Sequence, residues 1–580
     1  EGETTVGTWK IDGGVFSSRS EKNAINGQYG FQTPDWRANN GNIAGTDNGT
    51  GAPIRIPNRT VIWEMPSYTD KFLSAKYIYN PPFGGPADDP SRFNFYTVDN
   101  NDHITVSKNF TARLNFKKDY FLSKKYASSF SFGFKGKFMN SDRHRPPTAT
   151  ILSINTITST SSTDYGDTRL ARFMHKFNQS SDFLSGNLNF GPSADITKIQ
   201  HFMKMRPDRF ILDRYRTDYA AATTVFAADE DVTAGYVMNK VQFKKVMAIV
   251  GIRFENTNVD YKANRVFSYN KLANPDVNGG QLPSPAAVVY DTIRVTKADS
   301  TLKYFMALPN VQLKFDVAKN LVLRTAWTTG YSRPNLQDLM PTLRINTDIG
   351  KIEAGNSQLE AAYSNNLDFL VEHYMKNVGI LSGGLFYKHI NKFQYLSEGP
   401  ITDPANPYYN DNAPDQFVMT QPKNGKAANV FGVEVTLNST LSFMPGFLRN
   451  LVFTSNYTYA HSKATTDQKR GELRLPGQAD HTANIALGYS TKRFTLQASA
   501  NYNGKFIYAL GTDKETDLWV ADRWQLDLNG NVKITKQLMF YAEVVNLLNS
   551  KTFTYMGNST RVYELEYTDA YFRTGLSFRF

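Results

Sequence analysis

Two acid–base residues stand side by side in the stretch "VEHY", Glu372 and His373. On a β-strand, neighbours point to opposite faces, so this pair cannot share a proton or a metal ion. The chain has eight scattered histidines and no cysteine, and it contains no HExxH, no GxxxxGK[ST] and no convincing nucleophile elbow. The reading is therefore of a protein that is not an enzyme, with no cofactor and no catalytic or metal-ligating residue. The remaining polar chemistry lies in rows. In "DRWQLDLNGNVKI", Gln525, Asp527 and Asn529 alternate with Trp524, Leu526 and Leu528; in "NNLDFLVEHY", Asp368 and Glu372 alternate with Leu367, Phe369 and Val371. A strand with one polar and one apolar face suits a wall between water and lipid. A single strand of a soluble sandwich could carry the same pattern.

Bulk properties favour the wall. Hydrophobic residues are 41% of the chain and aromatics 13%, with a mean hydropathy of −0.45. No apolar run is long enough for a membrane-spanning helix; the densest, "KKVMAIVGIRFE", is short and charged at both ends. A transmembrane barrel needs apolar residues only at alternate positions, so it leaves such an average. The net charge of +12 is spread along the chain with no basic block, so no nucleic-acid partner is expected. The opening "EGETTVGTWK" has no signal-peptide pattern, as expected of a mature or truncated chain.

Connection lengths separate barrel from sandwich. Joins of a few residues are expected near Thr535–Gln537, Ser490–Lys492, Met375–Val378, Val317–Asn320 and Phe243–Lys245. They alternate with long polar segments near 505–521, 462–480, 395–427, 331–360, 262–302 and 142–230. Outer-membrane barrels have this asymmetry, with tight periplasmic turns and long outer loops. About sixteen strands are expected, the first in "VGTWKIDGGVFS", and no convincing helix; 18–102 and 142–230 read as long extracellular loop regions, with "SYTDKFLSAKYIYN" as strand or short helix. Trp524, Tyr502 and Tyr459 are expected near the outer interface, and Phe494, Tyr489 and Phe580 near the inner one.

Several stretches resemble one family. "LVLRTAWTTGYSRPNLQDLMP", "FGVEVTLNSTLSFMPGFLRNLVFTSNYTYAHSKA", "LPGQADHTANIALGY", "AEVVNLLNSK" and the closing "YFRTGLSFRF" are similar to the C-terminal barrel of TonB-dependent outer-membrane receptors. They are most similar to the large-loop members that import glycans or other bulky nutrients. The resemblance implies an all-β fold: a transmembrane antiparallel β-barrel with 22 strands in the full protein. It also implies a plug domain and a TonB box, neither of which is found here, so residues 1–580 are expected to be the barrel part of a longer receptor. The implied function is energy-coupled import of a bulky substrate across the outer membrane of a Gram-negative bacterium. The implied partners are outer-membrane lipid and lipopolysaccharide, the TonB–ExbB–ExbD complex and the barrel-assembly machinery, with room for a surface lipoprotein lid. A passive porin, or a surface glycan-binding β-protein, stays open as an alternative.

Site residues follow from these readings. Arg573, Gly575, Phe578 and Phe580 match a C-terminal signal read by the assembly machinery. Arg333, Asp368, Glu372, Glu434, Gln525, Asp527 and Asn529 are expected to face the lumen or plug, with Arg333 paired to lumen carboxylates. Trp36, Tyr408, Tyr409 and Trp519 are loop residues able to stack on a planar or sugar face. Arg143, His144 and Arg145, in "SDRHRPP", could attract an anion such as a lipopolysaccharide phosphate, although a solvated rim is the plainer reading.

Overall fold

The computed structural model describes residues 1–25, 27–32, 42–46, 53–56, 62–64, 68–69, 72–73, 76–78, 94–123, 126–146, 148–154, 168–174, 194–270, 291–346, 351–376, 378–401, 417–466 and 471–579. It divides into two compact units. One comprises Glu1–Ser20, Val106–Asp142 and Phe226–Phe580, and the other Glu21–Thr105 and Arg143–Val225.

A 21-stranded sheet dominates the first unit. Its main strands are β1 (Gly2–Val6), β2 (Trp9–Ala24), β3 (His103–Ser123), β4 (Tyr126–His144), β5 (Phe226–Phe243), β6 (Val246–Asn270), β7 (Asp291–Ala318) and β8 (Leu321–Ser332). They continue as β9 (Ala362–Met375), β10 (Gly379–Asn391), β11 (Ala427–Thr440), β12 (Leu451–Thr465), β13 (His481–Ser490) and β14 (Phe494–Asn503). The last are β15 (Arg523–Lys533), β16 (Leu538–Val545) and β17 (Tyr571–Phe578). From β5 to β17 each strand pairs antiparallel with the next.

The connections alternate as expected. Most turns at one end are no longer than Ile534–Gln537 after β15, and the other end carries the long segments. The exception is the link between β11 and β12, which contains the 3-10 turn Gly446–Asn450.

Three expectations need correction. The stretch read as the first strand is strand from Trp9 onward, but it is the second arm of a hairpin: Gly7 takes a left-handed φ of 62° and turns the chain between β1 and β2. The described residues of the long segment 262–302, namely 262–270 and 291–302, are strand: β6 and β7 stay in register from Val246↔Phe315 to Asn270↔Asp291. There the buried face changes character, with Val259, Tyr261 and Ala263 covered and packed with Leu339, Met340 and Leu359 from the segment after β8. Loop packing thus extends the hairpin where lipid contact does not. Helices also occur, the longer ones in the second unit and a single turn, Leu336–Leu339, in the first. The described residues of "SYTDKFLSAKYIYN" are short strands, Tyr68–Thr69, Phe72–Leu73 and Lys76–Ile78.

The two faces of the sheet differ along their length. Near the short turns one face carries exposed apolar side chains, among them Leu367, Phe369, Leu385, Phe431, Val435, Ile485, Leu496 and Leu576. On β6 that face changes from Ile252 and Phe254 to Asn256, Asn258 and Asp260. The apolar stretch from the turn is about ten residues, roughly 25 Å once strand tilt is included. Aromatic pairs mark its two margins: Tyr489 stacks on Phe494 at 5.5 Å near the short turns, and Tyr502 meets Trp524 at 4.8 Å at the other end. These pairs lie where Tyr489, Phe494, Tyr502 and Trp524 were expected, while Phe580 lies outside the described residues.

The second unit has its own core. Strands Gly27–Gln32, Asn94–Asn100, Ile151–Ile154 and Phe210–Leu212 form one sheet. Helix α1 (Ile196–Met205), N-capped by the Asp195 carboxylate, and helix α2 (Arg214–Thr224), capped by Asp213, belong to the same unit. Phe95, Val98, Ile154, Phe173, Ile199 and Phe202 fill the core.

Replacing Leu385, on the apolar face, by Arg is expected to cost about 2–4 kcal/mol of stability in a bilayer, and the same change at Thr436 on the polar face far less. Denaturant unfolding from lipid vesicles measures both; equal losses would reverse the assignment of faces.

Candidate functional site

Most of the expected lumen residues occupy one face of the sheet. Cross-strand register places Glu372, Ser382, Thr436, Asn456, Asn484, Asn501 and Gln525 side by side across seven strands. Asn484 donates to Asn456 at 2.8 Å, Asn501 donates to Asn484, and Gln525 donates to Asp527 at 3.0 Å. Glu372 accepts from Arg324 at 3.1 Å and from the Tyr374 hydroxyl at 3.0 Å. His373 lies on the opposite face, level with Leu321 and Leu381, as strand alternation requires. Asn529 stands between Gln497 and Glu543. Asp368 and Glu434 are exposed on this polar face and have no hydrogen-bond partner among the described residues.

Arg333 anchors the densest charge cluster. Leaving β8, it donates to Glu230 at 2.8 Å and Glu255 at 3.2 Å, and two of its nitrogens reach the Tyr331 hydroxyl at 3.1 and 2.8 Å. Tyr331 itself donates to Glu255 at 2.5 Å. Lys137 reaches Glu230 at 3.2 Å and Arg253 reaches Glu255 at 2.6 Å. The carboxylates are 7% and 11% exposed, so both need their cations to offset desolvation. The expected pairing of Arg333 with carboxylates is present, and its partners come from β5 and β6. The signal for one of them was legible: Arg253 and Glu255, two apart in "RFE", must share a face.

Gly575 and Arg573 have local structural partners. Arg573 pairs with Glu543 at 2.5 Å, and a Cβ at Gly575 would fall 2.4 Å from the Tyr541 hydroxyl. Tyr541 therefore lies across the bare glycine backbone. Phe386 lies over Gly432 in the same manner. Phe578 is exposed on the apolar face of β17.

The expected loop residues divide. Trp36, Tyr408 and Tyr409 lie outside the described residues. Trp519 pairs with Ile507 and Tyr555 in a small sheet and packs beside Phe393, Tyr395 and Leu473, so it is part of a loop core. Its remaining surface borders a cleft of about 550 Å³ with Arg474, Asp480, His481, Tyr502 and Lys505. Arg143 and Arg145 act inside the second unit. Arg143 donates to the Thr105 hydroxyl at 3.0 Å, and Arg145 donates to the carbonyls of Thr217 and Asn100 at 3.1 and 2.9 Å. Burial lowers the pKa of Arg145, opposed by the field of Asp102. These arginines are half-buried and hydrogen-bonded within that unit, while His144 between them is exposed. No metal-binding group of His, Asp or Glu occurs among the described residues.

The two-faced sheet, the one-sided loops and the polar rows together describe a barrel wall. A family model for the TonB dependent receptor-like beta-barrel matches residues 8–547. The chain belongs to this family. Among solved structures it resembles the ferric-catecholate import receptor Fiu from E. coli K12 in its closed form, with a TM-score of 0.52 and 14% identity over 85% of this chain and 57% of that one. It also resembles FpvA of P. aeruginosa bound to heterologous pyoverdines, with a TM-score of 0.50 and 11% identity over 99% of this chain and 54% of that one. At such identities the likeness is one of fold, and the chain spans less than two thirds of either relative. No curated protein matches it.

Removing the Arg333 guanidinium (Arg333→Ala) leaves two covered carboxylates short of a cation. The expected loss is about 2–4 kcal/mol, reduced when Glu230→Gln and Glu255→Gln are added. Denaturant unfolding of the wild type, Arg333→Ala, Glu230→Gln/Glu255→Gln and the triple variant tests this; additive losses would show that the cluster does not act as a unit.

Proposed function

We propose that this barrel belongs to an outer-membrane receptor that imports a bulky nutrient with energy supplied through TonB, ExbB and ExbD. The observation that carries the reading is the polar face: a membrane-height wall whose water side is lined by amides, hydroxyls and charged groups, in a chain that belongs to the TonB-dependent receptor family. In this reading the polar rows hold a plug through releasable hydrogen bonds, and Asp368 and Glu434 are free to accept bonds from it. Long loops on the outer side capture the substrate, and the 18–102 and 142–230 regions supply much of that outer surface. Trp36, Tyr408, Tyr409 and Trp519 contribute flat rings to capture. The C-terminal residues Arg573, Gly575, Phe578 and Phe580 deliver the chain to the assembly machinery, and the outer lipopolysaccharide leaflet surrounds the aromatic margin at Tyr502 and Trp524. The activity is transport, not catalysis.

The native protein, purified from outer membranes and placed in planar bilayers, is expected to show no steady conductance, and in cells it should crosslink to TonB. A stable open conductance with no TonB crosslink would establish a passive channel instead.

A further inference from the structure

The second unit contains a recess of about 630 Å³, within the usual range for small-molecule sites. Its walls come from two short stretches of chain. Helix α1 turns Ile199 and Phe202 into the core, and its spacing brings Lys198, His201 and Met205 to the recess. Arg172 enters from the preceding helical turn and lies 5.5 Å over the Phe202 ring, while Arg206 follows the C-terminus of α1. Four basic side chains therefore line one concavity, and no carboxylate lines it among the described residues. The Asp208 carboxylate holds Arg206 in a two-pronged pair at 3.1 Å, and the Lys198 ammonium donates to the Met174 carbonyl at 2.7 Å. These contacts hold Lys198 and Arg206 in place, and among the described residues the lining of the recess is positive on balance. Its apolar portion is the exposed side chain of Met205, backed by Phe173 and Phe202, which are almost wholly covered.

A fixed group of cations beside an apolar floor attracts a ligand with both properties. We infer that this recess binds a small anion carried on an apolar body, with Lys198, His201 and the two arginines around the anionic group and Met205 against the body. The recess would be present whether or not the barrel imports that ligand, so direct binding tests it separately from uptake.

The probe is 1-naphthyl phosphate, titrated by calorimetry against the full chain in detergent and compared with 1-naphthol and inorganic phosphate. The phosphate ester is expected to bind at least about tenfold more tightly than either fragment, and to weaken as salt rises from about 0.05 to about 0.5 M. Lys198→Glu should weaken it by about tenfold or more, whereas Lys204→Glu, the same charge change on the same helix outside the recess, should leave it within about twofold. Far-UV circular dichroism confirms that both variants retain their fold, and Lys198→Gln provides a milder version should Lys198→Glu lose it. Equal binding of naphthol and its phosphate, equal effects of the two lysine variants, or no binding of the ester would each overturn the inference.

Discussion

Register is the constraint on which everything else in the wall depends. Side chains alternate with a period of two, so a one-residue slip between any two strands would turn an apolar row inward and a polar row toward lipid. The pairings prevent this by keeping like with like. Leu367, Tyr387 and Phe431 share one level of the apolar face, and Glu372, Ser382 and Thr436 share one level of the polar face. A slip would move Asp368 or Glu434 into hydrocarbon, where a charge costs several kcal/mol.

Beyond the apolar band the rules change. There the chain builds ordinary covered cores, as around Tyr261 and Leu359 or around Phe393 and Ile507. The Arg333 cluster connects β4, β5, β6 and β8 through one guanidinium, two carboxylates and two further cations. It locks four strands with charge pairs whose carboxylates are mostly covered, so salt should screen them less than exposed pairs.

The wall was legible because its signals are local. Alternation in "RFTLQASANYN" or "DRWQLDLNGNVKI" assigns faces without knowledge of the neighbouring strand, and tight turns sit between such runs. The site was legible only in part. That Arg333 would meet carboxylates followed from its place at the end of a lumen-facing strand, but Glu230 and Glu255 lie 103 and 78 residues away in sequence. The second unit escaped for the same reason: Phe95, Phe173 and Phe202 form one core from separated segments, and only the helix carrying Phe202 has a clear apolar face. Helix α2 has an almost featureless polar face pattern with one buried residue, Ala222, so no amphipathic stripe announces it.

The lateral hydrogen bonds of the polar rows have a mechanical consequence. Asn456, Asn484 and Asn501 spend bonding capacity on one another around the circumference. In the proposed receptor, an object moving along the barrel axis would therefore meet a surface that is wet yet already partly satisfied, with attachment confined to isolated points such as Asp368 and Glu434. Such a lining would offer low friction to whatever slides past it and concentrate grip where release can be controlled.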